Sequence, residues 1–264
     1  MRDRLVWWQH QIPAGHWVDR VATLLPARAI GCSSQAGQRA QGTLSPKRRS
    51  FVVNPGIEIA RARGGNRVEL REQLDIPTGR QVLGIIGRLQ PWKGQDRFLT
   101  ALAELCRGGR DVHGLLVGGD AYELSPEYAA GLDRLVRELG LSGRVTMTGQ
   151  VPDSAPYLEL MDVAVNASEE EPFGIVLLEA MAAGVPVVAV AKGGPVDIVE
   201  PGVTGILARS GDPTELAAAM DALLADSSLR AEMAVAAKNR CRQRFTAELM
   251  VEQLTTQLTE IHHG

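Results

Sequence analysis

The sequence predicts a doubly wound α/β fold in which parallel strands are covered by helices on both faces. Two observations carry this prediction. Runs rich in Val, Ile and Leu, four to six residues long, alternate with helical-period segments of ten to seventeen residues, the pattern of strand–helix–strand crossovers. Several of these runs are almost continuously apolar, as strands buried on both faces are.

In chain order the predicted strands are 5–9, 28–32, 50–53, 82–86, 112–117, 145–148, 163–166, 186–190 and 205–207. Turn residues close several of them: Asn54-Pro55-Gly56 after the third, Gly87 after the fourth, Gly118-Gly119 after the fifth and Gly149 after the sixth. The predicted helices are 95–107, 127–139, 174–183, 213–225 and 228–244, with a short one opening at Pro195. In the first of these, Phe98, Leu99, Leu102 and Leu105 fall on one face of an otherwise polar helix.

Residues 61–71 carry Gly64-Gly65-Asn66 among arginines and read as a linker. Residues 1–60 hold three strands and Trp7, Trp8 and Trp17, less than a complete domain of about 100–150 residues, so further chain is expected before them. Residues 61–244 hold six strands and their crossovers, enough for a full core.

The 264 residues are 45% apolar and 22% charged, which excludes a disordered chain or a disulfide scaffold. Lys and Arg total 28 against 31 Asp and Glu, so no global positive field draws this chain to nucleic acid. Cys32, Cys106 and Cys241 are scattered without metal-ligand spacing; they read as filler thiols, and no metal site is expected. No apolar run reaches the roughly 20 residues that span a bilayer, and the expected location is cytoplasmic.

Two loops concentrate polar chemistry at strand ends, where open α/β sheets bind ligands. The first, 87–94, sets Arg88 and Lys93 beside a helix N-terminus, itself electropositive. A nucleotide diphosphate would satisfy both cations, whereas one carboxylate from elsewhere in the chain would leave one of them spare; a solvated turn accounts for them equally. The second, 166–181, places Glu171 in the loop and Glu179 about five residues into the following helix. The N–H groups of Phe173, Gly174, Ile175 and Val176 suit phosphate oxygens, and carboxylates on either side suit sugar hydroxyls. A solvated first turn explains Glu169 and Glu170 well, and Glu179, set among Leu177, Leu178, Ala180 and Met181, poorly. Gly193-Gly194 after the eighth strand would admit close approach of a ligand, or form an ordinary turn.

Taken together, Asn54-Pro55-Gly56-Ile57, Gly87-Arg88 with Lys93-Gly94, Gly149-Gln150-Val151, the Glu171 and Glu179 pair, Gly184-Val185-Pro186, Gly193-Gly194 and Gly202-Val203-Thr204-Gly205 resemble the retaining glycosyltransferases of family 4. That resemblance implies the two-domain GT-B fold, with a partial Rossmann-like domain over 1–60 and a Rossmann-like donor domain over 61–244. Residues 245–264 would form a returning helix with Phe245, Leu249, Leu254, Leu258 and Ile261 on its apolar face. It implies a hexose transferred, with retained configuration and without metal or cofactor, from a UDP-, GDP- or ADP-sugar to a sugar, lipid-linked or small-molecule hydroxyl acceptor. Arg88 and Lys93, after Gly87, would hold the diphosphate; Glu171 would contact the transferred sugar, Glu179 the ribose, and Gln150 and Val151 the base. His10 resembles the histidine that points at the reacting sugar in many members. Much of the family's acceptor-side domain has no counterpart here, so a non-catalytic sugar-nucleotide-binding module is the alternative. Peripheral membrane contact through Lys47-Arg48-Arg49 is a further expectation.

Overall fold

A computed structural model describes residues 5–23, 27–59, 67–120 and 125–263. Its strands are β1 (Val6–Gln9), β2 (Ala29–Cys32), β3 (Arg49–Val52), β4 (Gln81–Ile86), β5 (Val112–Val117), β6 (Val145–Met147), β7 (Val163–Asn166), β8 (Val187–Val190) and β9 (Gly205–Ala208). The helices are α1 (Trp17–Thr23), α2 (Gln35–Leu44), α3 (Arg67–Gln73), α4 (Gln95–Arg107), α5 (Pro126–Glu138), α6 (Ala155–Leu158), α7 (Ile175–Ala183), α8 (Pro195–Ile198), α9 (Pro213–Ala225), α10 (Ser227–Arg244) and α11 (Ala247–His263).

Every strand pairing is parallel, in two sheets: a three-stranded one in the order β1-β2-β3 and a six-stranded one in the order β6-β5-β4-β7-β8-β9. In the larger sheet the chain winds outward from β4 to β6, then returns to β7 on the other side of β4. That reversal makes the carboxyl ends of β4 and β7 the topological switch point, where loops diverge and leave a crevice.

Alternation along each strand divides the core. Leu83, Ile85, Leu116, Val163, Val165, Val188 and Val190 face α4, α5 and α9, while Val82, Leu115, Val117, Ala164, Val187 and Ala189 face α6, α7 and α10. The predicted face of α4 is buried in full: Phe98, Leu99 and Leu102 are each 0% exposed. Asp212 and Asp226 cap α9 and α10, each accepting two backbone N–H bonds in the first turn.

The sequence expectations for the strands hold to within a residue or so, and three expectations change. Within the stretch read as a linker, residues 60–66 lie outside the described residues and α3 occupies the rest, anchored where the Arg71 guanidinium donates to the carbonyls of Pro77 and Arg80. Phe245 precedes the last helix instead of lying on its face, and its ring packs edge-on to Phe173 at 6.3 Å inside the larger core. The face that α11 lays on the small sheet consists of Met250, Leu254 and Ile261, against Ala29, Phe51 and Val53, whereas Leu258 points to solvent. The crossovers between the sheets run side by side: Ile57 N–H donates to the Phe245 carbonyl and Ala247 N–H to the Ile57 carbonyl. The Gln35 N–H at the start of α2 donates to the Asp197 carboxylate on α8 at 2.7 Å.

Because Leu102 is wholly enclosed between α4 and the sheet, Leu102→Ala should lower unfolding free energy by about 2–5 kcal/mol, measured by urea denaturation.

Candidate functional site

Three loops converge at the switch point: 87–94 after β4, 167–174 after β7 and 191–194 after β8. A short 3₁₀ turn, Pro91–Lys93, ends at Gly94, which is left-handed (φ 76°) and caps α4. A Cβ on Gly94 would overlap the Ala167 carbonyl oxygen, so glycine there lets the first two loops touch backbone to backbone. Gly193 does the same between the second and third: it is left-handed (φ 82°), and a Cβ would overlap the Glu171 carbonyl oxygen, which accepts from Gly194 N–H at 2.8 Å. The close approach expected of Gly193-Gly194 is therefore made to the Glu171 loop.

Arg97, on the first turn of α4, fastens the same seam. Its guanidinium donates to the carbonyls of Ala167 at 2.9 Å and Trp92 at 3.3 Å, and pairs with Glu169 at 2.6 Å. The Glu169 N–H donates to the Trp92 carbonyl at 2.8 Å.

Inside this seam lies Glu171, 7% exposed. Its Oε2 accepts from Lys93 Nζ at 2.7 Å, Ser168 Oγ at 2.9 Å and Asn166 Nδ2 at 3.1 Å. The Lys93 ammonium also sits 4.2 Å from the centroid of the Trp92 ring. Lys93 is thus paired with a carboxylate of its own chain, and Arg88, exposed with no side-chain partner among the described residues, is the spare cation. Both stand on the loop that leaves β4.

Gly174 (φ 105°) caps α7, which begins directly after the Glu171 loop and whose first amides, at Ile175 and Val176, have no intrahelical acceptors. Phe173 is turned into the core at 4% exposure, so only its main chain is available to a ligand. Glu179 lies further along α7, half-buried; burial first, and the Asp153 carboxylate second, hold its carboxyl above the ordinary carboxylate range. It lines a cavity of about 1020 Å³ together with Asp153, Leu158 and Lys238, which does not include Lys93 or Glu171. Exposed Gln150 and half-buried Val151 follow the Gly118–Gly149 bridge that joins the ends of β5 and β6. His10 follows the last residue of β1: it is exposed, its ring centroid lies 6.2 Å from that of Trp8, and among the described residues no hydrogen bond or ion pair joins it to Arg88, Lys93 or Glu171. Of the basic cluster near β3, Arg49 pairs with Glu260 and Arg48 donates to the Ala27 carbonyl.

Asn166, Ser168 and Arg97 were not singled out from sequence. Asn166 left one signal, a polar residue closing an apolar strand. Arg97 left none, because an arginine on the first turn of an amphipathic helix reads as solvated.

Residues 66–240 match the model of the family described as glycosyl transferases group 1, more than half of the chain. The chain belongs to the group 1 glycosyltransferases. Within this family it is similar to the D-inositol 3-phosphate glycosyltransferases of Nocardia farcinica (35% identical over 224 residues, 80% of this chain and 48% of the relative) and Geodermatophilus obscurus (36% over 217 residues, 80% and 47%). The chain spans about half the length of these curated relatives. Among solved structures, Anabaena HepE in complex with UDP and glucose superposes with a TM-score of 0.88 at 31% identity, covering 97% of this chain and 71% of that one. The C-terminal domain of the group 1 glycosyltransferase LpcC from Francisella tularensis superposes at 0.62 with 26% identity, covering 70% and 95%. The fold is accordingly that of the GT-B glycosyltransferases.

Two predictions come from this arrangement. Gly193→Ala forces a left-handed backbone and a steric overlap on the Glu171 loop, so it should lower the melting temperature. The second concerns pH. With its folded pKa raised, Glu179 ionises at a cost to folding that is absent below the unfolded carboxylate pKa and fully present above the folded one. Glu179→Gln should therefore stabilise the chain at pH 7 and change little at pH 3, as read from melting curves at both.

Proposed function

We propose that this chain carries the donor half of a retaining hexosyltransferase of the family 4 type, taking a nucleoside-diphosphate hexose and passing the sugar to a hydroxyl acceptor. The observation that carries the reading is the Lys93–Glu171 pair at the switch point, with Arg88 and the first amides of α7 beside it. Such a site presents cations and N–H groups for a diphosphate next to carboxylate oxygens for sugar hydroxyls. UDP is the favoured nucleotide, because HepE, with which the chain shares 31% identity, holds UDP-glucose in a second complex.

In this mechanism the diphosphate lies against Arg88, Lys93 and the N-terminus of α7, and Glu179 accepts from the ribose hydroxyls. Gln150 and Val151 border the base. As the bond from C1 to the diphosphate oxygen breaks, negative charge grows where those cations and amides already point, which stabilises the transition state without rearrangement. The acceptor oxygen bonds to C1 on the same face, and its proton passes to the departing diphosphate, so the configuration is retained. Two side-chain cations supply the charge neutralisation, and the proposed reaction needs no divalent metal. The acceptor is a sugar, a lipid-linked or a small-molecule hydroxyl; the inositol phosphate of the relatives' names is the first to try. The proposed location is the cytoplasm, where the buried thiols of Cys32 and Cys241, pushed up to about 11 and about 12 by desolvation, would stay reduced. No helix among the described residues is long and apolar enough to cross a membrane.

Calorimetric titration with UDP in EDTA should show saturable binding, and Lys93→Ala should weaken it about 10- to 100-fold, the value of one charge-assisted hydrogen bond. With UDP-glucose and D-inositol 3-phosphate, NMR of any product should show the donor's own anomeric configuration. An inverted product, or UDP binding that EDTA abolishes, contradicts the proposal.

A further inference from the structure

The three donors to Glu171 do not share its two oxygens. Lys93, Asn166 and Ser168 all converge on Oε2, and Oε1 accepts from no described residue. A carboxylate placed in so enclosed a setting would ordinarily divide its donors between both oxygens, since each unsatisfied lone pair costs free energy. Here one oxygen is saturated and the other is left open.

The two neutral donors are themselves rigid. Asn166 is the last residue of β7, in register with Ala189 of β8, and its Oδ1 accepts from Ser168 N–H at 3.1 Å. Asn166 is 9% and Ser168 2% exposed. The orientation of the Glu171 carboxylate is thus set from the end of a core strand. Lys93 differs: it hangs from the 3₁₀ turn on a flexible stem, and its ammonium has three protons, of which Oε2 needs one.

We propose that Asn166 and Ser168 are positioning residues that clamp Oε2 of Glu171, so that Oε1 faces the transferred sugar as a hydroxyl acceptor and Lys93, with two protons beyond the one that Oε2 takes, can meet the diphosphate while it stays paired with Glu171. This rests on Glu171 being the sugar contact of the proposed function. The clamp acts on the sugar part of the donor alone: removing it disturbs recognition of the hexose and leaves that of the nucleotide intact.

The test compares UDP with UDP-glucose by calorimetry in wild type, Glu171→Ala, Asn166→Ala, Ser168→Ala and Ser168→Thr, the last of which keeps the hydroxyl. The expected result is that UDP affinity stays within about threefold of wild type in the Asn166 and Ser168 variants, while the ratio of UDP-glucose to UDP affinity falls about tenfold, as it does in Glu171→Ala, and returns in Ser168→Thr; tenfold is about 1.4 kcal/mol, the size of one hydrogen bond. If Glu171→Ala changes the ratio but the Asn166 and Ser168 variants do not, the clamp is wrong and the reading of Glu171 stands. If Glu171→Ala leaves the ratio unchanged, the underlying reading of Glu171 fails. Equal loss of UDP and UDP-glucose binding in the Asn166 and Ser168 variants, with UDP binding kept in Glu171→Ala, makes them supports of the loop and overturns the proposal.

Discussion

A carboxylate buried at the switch point of a parallel sheet is the constraint around which this molecule is arranged. A buried carboxylate needs a counter-charge within the structure, and the cation that meets Glu171, Lys93, comes from a loop more than seventy residues earlier in the chain. For the two to meet, β4 and β7 must be neighbours, and the loops that leave them must approach to backbone contact. The doubly wound topology provides the first condition. Gly94, Gly193 and the Arg97 staple provide the second. The loops that carry the site are therefore held to one another by contacts of the chain itself.

The smaller sheet is joined to this arrangement by short-range contacts of a different kind. The two crossovers exchange backbone hydrogen bonds at Ile57 and Ala247, α11 lays Met250, Leu254 and Ile261 on the small sheet, and Asp197 receives the first amide of α2. Asp197 follows Gly193-Gly194 by only a few residues, so the segment that receives the first amide of α2 continues the loop that bonds to the Glu171 main chain. Burial holds the Asp197 carboxyl above its ordinary range, against the opposing pull of the Gln35 N–H, the Arg39 charge and the Asn54 side chain at this junction.

Much of the fold was legible because its strongest signals are local. Runs such as 112–117 and 163–166 are apolar but for His113 and the closing Asn166, and α4 and α9 show a clear face, so that strands and long helices emerge from pattern alone. What pattern could not give was α1, α2, α3 and α6, short helices whose stability comes from neighbours in space. Phe245 was assigned to the wrong side for a similar reason, since helical periodicity does not mark where a helix starts. At the site, Lys93 and Glu171 stood out separately as charges near helix N-termini, yet their pairing depends on which strands adjoin, which spacing does not reveal. Asn166 and Ser168 escaped notice because small polar residues near a strand end are common, and only their convergence on a single oxygen distinguishes them.

The central claim is that Lys93 and the buried Glu171 form one paired unit and, in the proposed function, meet different parts of the donor. A double-mutant cycle on Lys93→Met, Glu171→Gln and the pair, followed by both urea denaturation and UDP-glucose titration, tests it directly. Lys93→Met strands a buried carboxylate and should cost about 3–5 kcal/mol of stability, while adding Glu171→Gln should recover most of that loss and leave UDP-glucose binding impaired. Stability losses that simply add, or a double variant that binds UDP-glucose like wild type, would contradict the account.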